Sequence, residues 1–167
     1  MDKDGWYYNM ATIISGDSGG TAVTTATQKI LQVVQGTTST EVSSTVTSDT
    51  DTTLTANITP SATSSKILVL VEQAGCGKRS GNSWLNLKLV RGSTTITTFC
   101  TFAGYTGTTT DNMIGNISTS FLDTPSTTSQ ITYKTVMSTG NTPITLYVQA
   151  DDAGAQTSTI TLMEVAG

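Results

Sequence analysis

The stretch SKILVLVEQA, Ser65 to Ala74, decides the fold. Five apolar residues stand in a row from Ile67 to Val71, and three of them are β-branched. The run is too short for an ordinary helix and too apolar for a solvent-facing strand, so it is expected at the centre of a sheet, covered on both faces. Short runs with alternating apolar residues recur on both sides, each closed by Gly, Pro, Asp, Asn or Ser. Before it come KILQVVQG (29–36), EVSSTVTS (41–48) and TTLTANITP (52–60). After it, GKRSGN (77–82) reads as a turn into SWLNLKLVR (83–91), followed by GSTTITTFCTF (92–102) and IGNISTSFLD (114–123). SQITYKTVMS (129–138), TPITLYVQA (142–150) and STITLMEVA (158–166) complete the series. Leu85, Leu87 and Leu89 fall on one face of their strand, the core side, with Trp84, Asn86, Lys88 and Val90 on the other. Ile96, Thr98, Cys100 and Phe102 are expected to share a face of the next strand. Nine or ten regularly spaced strands without a helix predict an all-β fold, an antiparallel β-sandwich of the jelly-roll kind.

Composition agrees. Threonine alone fills more than a fifth of the 167 residues. It is stiff at χ1 and suits a half-exposed pleated surface. Charged residues make up only 12%, against about 25% in an ordinary domain. Thr and Ser thus keep the outer faces polar without a strong charge field. The formal net charge is −4 and no Lys/Arg cluster occurs, so neither nucleic acid nor an anionic membrane is an expected partner. No apolar run reaches the ~20 residues of a membrane helix, and the start MDKDGWYYNM has no signal-peptide core. Residues 1–28 show no sustained period and read as an extended N-terminal arm before a single sandwich domain over 29–167. Met10 offers a second start.

Motifs that resemble catalytic signatures fail on chemistry. Gly16-Asp-Ser-Gly-Gly20 matches the nucleophile run of chymotrypsin-like proteases, yet the chain contains no histidine to take the serine proton. The segment EQAGCGKRS (72–80) lacks the first glycine of a phosphate loop and has Arg79 where Ser or Thr is required, so it reads as a hairpin connection. The acids of SDTDT (48–52) and DDAG (151–154) do not complete a calcium loop. Cys76 and Cys100 are too few for a disulfide framework; one bridge or two buried thiols both fit. The expectation is therefore no enzyme, no cofactor and no metal.

Five pieces in order, KILQVVQGTTST, LTANITPSATSSKILVLV, LNLKLVRGSTTI, FLDTPSTTSQITYKTVM and STITLMEV, resemble a group of phage-encoded β-domains common among viruses of marine bacteria. The resemblance covers Lys29 to Val165. It implies a jelly-roll module of virion appendages or decorations that forms homotrimers, located on the capsid exterior or an appendage after assembly in the host cytoplasm. Many such modules end a long fibre, whereas a short arm precedes this one; that favours a capsid decoration (cement) protein or short head fibre. The implied partners are further copies of the chain and the major capsid protein or another virion protein.

Two sets of residues are candidates for contact. Trp6, Tyr7 and Tyr8 are three adjacent aromatics that no strand or helix period explains, and they could anchor the arm on a neighbouring subunit or shell. Lys78, Arg79, Tyr105, Asn112 and Asp151 lie in predicted loops. They would serve the alternative function, a tail-fibre tip or adhesion module that binds a host-surface glycan or receptor.

Overall fold

A computed structural model describes residues 29–79, 81–107, 111–140, 143–150, 154 and 156–167. The arm candidates Trp6, Tyr7 and Tyr8, the Gly16–Gly20 run and Asp151 lie outside these residues. Ten strands form: β1 (Ile30–Thr38), β2 (Val42–Ser44), β3 (Thr50–Ile58), β4 (Lys66–Lys78), β5 (Leu85–Arg91), β6 (Thr94–Ala103), β7 (Asn112–Asp123), β8 (Ile131–Thr139), β9 (Leu146–Val148) and β10 (Ser158–Val165). They make two antiparallel sheets packed as a β-sandwich, and no helix occurs among the described residues.

In the first sheet, β4 is the central strand. One edge pairs with β10 along Lys66–Glu72 and with the short β9 at Gly77 and Lys78; the other pairs with β7. β1 lies outside β10, and β2 outside β9. The second sheet runs β3-β8-β5-β6. β5 and β6 are joined by the two-residue turn Gly92-Ser93, where Gly92 takes a φ of 58°. Glycine in the first turn position is what a tight hairpin of right-handed strand twist requires.

The pleat explains the core. Leu54, Ala56 and Ile58 of β3, Ile67, Val69 and Val71 of β4, and Ile160 and Leu162 of β10 point between the sheets with Leu89 and Tyr133. A second cluster holds Cys76, Leu85, Leu87, Met137, Ile144, Leu146 and Val148. Each large side chain so buried contributes on the order of 1.5–3 kcal/mol. Between the clusters runs a polar seam. Thr52 donates to the Thr135 carbonyl (3.0 Å), Thr135 Oγ1 donates to Gln73 Oε1 (2.7 Å), and Gln73 and Gln149 both donate to Ser158 Oγ (3.2 and 2.8 Å). All five residues are fully buried.

Three expectations need correction. β4 is central, but only its inner face is covered over its first half: Leu68 and Leu70 are half-buried and Glu72 is exposed on the outer face. The segment read as a turn from Glu72 instead continues the strand to Lys78, with the extra residue taken up by an irregularity around Gly75, whose φ is 57°. In β6, the shared face fails. Register shifts against β5 break the alternation, so Ile96 and Phe99 pack on the first cluster, Phe99 and Cys100 on the second, and Phe102 turns outward.

Candidate functional site

The end of the sandwich where β4 finishes and β5 begins carries an aromatic stack. Trp84, just before β5, lies with one ring face against the backbone of Gly140, where a Cβ would come within 2.2 Å of the indole. Gly140 N–H donates to the Trp84 carbonyl (2.9 Å), fixing that approach. Phe102 stacks on Trp84 with centroids 4.3 Å apart and planes 25° from parallel. Tyr105 meets Trp84 edge-on at 5.7 Å and 80°. Phe102 is 61% exposed and Tyr105 51%. The Phe102 backbone has a φ of 59° and Gly104 one of 70°, and Tyr105 N–H closes the turn on the Phe102 carbonyl (3.3 Å). For a bulky residue such as Phe the left-handed region is strained, and it is this conformation that carries the ring outward.

Of the residues expected in loops at this end, Tyr105 belongs to the stack and Asn112 supports it, donating from Nδ2 to the Gly104 carbonyl (3.2 Å). Lys78 does not face a ligand. It is fully buried at the end of β4, and its ammonium donates to the Gly81 carbonyl (2.6 Å) and to Thr106 Oγ1 (2.9 Å). With one acceptor after β4 and the other after β6, Lys78 ties Gly81 to Thr106. Arg79 lies over the Tyr147 ring, 4.8 Å from its centroid, and its N–H donates to the Thr145 carbonyl. Tyr147 in turn donates to Met113 Sδ (3.8 Å). The sequence places Trp84 and Phe102 on strand faces but does not mark either as a contact residue. The one local signal was Gly104 following FA and preceding Tyr105, a turn residue between aromatics.

A second surface lies on the outer face of the β4 sheet. The registers align Val33, Met163, Leu68 and Leu122 in one row across β1, β10, β4 and β7. Val33 is 56% exposed and Leu122 51%. Ile30 pairs with Val165 one row further out, and Leu31 falls in the irregularity beside it; both are exposed. On the other side of the row a shallow groove of about 560 Å³ is lined by Leu70, Glu72, Ser118, Ser120, Thr159 and Thr161. The outer face of the other sheet is different in kind. There Lys88 pairs with Asp49, Lys134 with Asp51, and Thr132 donates to Asn57.

Those pairs also employ both acids of the SDTDT segment. Among the described residues no three His, Cys, Asp or Glu side chains come together as a metal site would need. Cys76 and Cys100 are free thiols beside the same apolar cluster. Burial, and then the nearby Cys100, push the Cys76 thiol up to about 12, so it carries little thiolate at neutral pH. Arg91 and Tyr133 both bond Asp123 Oδ2 at 2.6 Å, joining β5 and β8 of one sheet to the end of β7 in the other. No protein-family model matches the chain, and no curated protein matches it either.

Proposed function

We propose that the protein is a non-enzymatic structural component of a bacteriophage virion, a homotrimeric capsid decoration (cement) protein or short head fibre. The observation that carries this reading is the row Val33–Met163–Leu68–Leu122; among the described residues of β1, β7, β10 and β4 up to Glu72, the charges on this outer face are Lys66 and Glu72. Ile30, Leu31, Val33 and Leu122, all exposed, leave on the order of 350 Å² of apolar surface open, within the size range of functional patches. The opposite sheet shows what a water-facing surface of this protein looks like, with paired lysines and aspartates. A face left apolar beside it fits a second copy of the chain, and β1, whose sequence ILQVVQGTT holds no charge and no proline, is an edge strand without the usual protection against pairing.

Strand order supports the jelly-roll reading. Counting β1 with β2 and β10 with β9 as single positions, the sheets run β1-β10-β4-β7 and β3-β8-β5-β6, so the chain wraps from one sheet to the other as two interlocked Greek keys do. A trimer of such domains matches threefold points of a shell. A protein that binds only the assembled shell stabilises it by mass action at every site. In this reading Trp6, Tyr7 and Tyr8 grip the capsid protein.

Light scattering on the full chain tests the assembly. The expected mass is three times the chain, falling to one chain when Val33→Asp and Leu122→Asp are combined. A monomer at micromolar concentration, or a trimer indifferent to both changes, would remove the sheet face from the proposal. Replacing Trp6, Tyr7 and Tyr8 with Ala should abolish incorporation into virions while leaving the trimer intact.

A further inference from the structure

We propose that the Phe102–Tyr105 platform is a saccharide-binding site that takes the apolar face of a hexopyranoside. It goes beyond the decoration reading and needs neither a trimer nor a shell. The platform lies on the order of 30 Å along β4 from the Leu68 row, at about 3.3 Å per strand residue.

Three features of the site argue for this ligand. The first is fixed presentation. Phe102 is backed by Trp84, and Trp84 by the backbone of Gly140, so the outer face of Phe102 is held in place before anything binds. The Lys78 ammonium locks the loops on either side by bonding both Gly81 and Thr106. The second is a conformation accepted at a cost: a phenylalanine at φ 59° is strained, and here the strain exposes a ring rather than burying it.

The third is size. Aromatic side chains offer about 150–250 Å² each, so the exposed part of Phe102 amounts to roughly 100 Å², with Tyr105, edge-on to Trp84, standing beside it as a wall rather than in its plane. A stable protein partner needs about 800 Å² on each side, several times more than the platform offers. One face of a six-membered sugar ring is matched to it. Such a ring presents C–H bonds on one face and hydroxyls around its edge. Beside the stack stand Thr106, a hydroxyl, and Asn112, an amide, rather than a cluster of charges. An apolar floor with a few neutral hydrogen-bonding groups at its rim is how small polar-edged ligands are held.

The test uses the full chain, with saturation-transfer NMR on the methyl β-glycosides of galactose, glucose and N-acetylglucosamine, and a printed oligosaccharide array. Millimolar affinity for a single ring and tighter binding to a longer glycan are expected. Transfer should concentrate on the ring C–H protons of the bound sugar. Phe102→Asn removes the ring and tolerates the left-handed backbone, so it should fold with an unchanged or raised melting temperature and lose at least about tenfold in array signal. Phe102→Tyr should keep the signal. The proposal is overturned if no glycoside shows transfer and the array is blank, or if binding persists in Phe102→Asn. It is also overturned if that variant lowers the mass seen by light scattering, which would make the platform a contact between copies. Loss of the trimer with sugar binding intact would instead count against the decoration reading alone.

Discussion

Glu164 occupies a position where strand alternation calls for an apolar residue. Ile160 and Leu162 precede it on the inner face of β10, and like them it has no solvent exposure. Burial by itself would raise its pKa. Hydrogen bonds from Ser61, whose N–H and Oγ both donate to Oε1, and from Gln32 to Oε2 (2.6 Å) outweigh that and hold the carboxyl at about 2. A depressed pKa contributes stability that is complete above the ordinary value near 4.5 and is lost as pH falls through about 2. At the alkaline side the sign reverses. Cys76 is raised from 9.0 to about 12, and burial followed by the Asp123 hydrogen bond and charge raises Tyr133 as well, against an opposing effect of Arg91. Their contributions are complete below pH 9 and decline as pH rises towards 12. Urea midpoints measured across pH should therefore show a plateau from about 4.5 to 9. Glu164→Gln should lower the plateau by about 1–3 kcal/mol, the cost of losing charge-assisted hydrogen bonds in the interior, and should flatten the acid limb. An acid limb unchanged in that variant would show that other carboxylates set it.

Among the elements, β1 shows how one missing side chain sets the way the sheets meet. A Cβ at Gly36 would stand 1.9 Å from the Thr55 carbonyl oxygen of β3, a backbone atom that cannot move without moving its strand. Gly36→Ala should thus cost about 2–4 kcal/mol by overpacking, read as a lower urea midpoint, whereas Ala at Gly92, where nothing stands within 4 Å, should meet only the backbone strain of its positive φ. The existence and order of the ten strands were legible because alternation of apolar and polar residues survives in β3, β5 and β10. It does not survive in β6, where register shifts against β5 reset the faces and bring Phe102 to the surface. A bulge leaves no mark in residue type when the strand is mostly threonine. Lys78 was misplaced for a related reason: a lysine after two glycines has the composition of a turn, and only the pairing of Gly77 and Lys78 with β7 and β9 makes it strand.

For the whole molecule, the buried seam of Thr52, Thr135, Gln73, Ser158 and Gln149 divides the interior into two apolar clusters. Its members come from β3, β8, β4, β10 and the residue after β9, so the seam forms only when both sheets have met. Gln73→Leu should cost about 1–3 kcal/mol by taking away the acceptor of the Thr135 hydroxyl in a dry interior, whereas Ser158 Oγ keeps its bonds from Gln149 and the Ala74 N–H. The paired change Gln73→Leu with Thr135→Val should recover part of that loss; denaturant titration of both variants checks it, and strictly additive costs would show that the two residues are not coupled. The apolar row that carries the proposed trimer belongs to this scale too, because Val33, Met163, Leu68 and Leu122 are scattered over some 130 positions of chain and meet only through register. By itself the sequence determined an all-β sandwich, its strands and much of its apolar core, since a pleat of period two reads directly from neighbouring residues. Tertiary structure alone decided which outer face stays apolar, where a buried carboxylate and ammonium find their partners, and that Trp84, Phe102 and Tyr105 gather at one end. Those outcomes depend on contacts between residues far apart in the chain, and local periodicity carries no information about them.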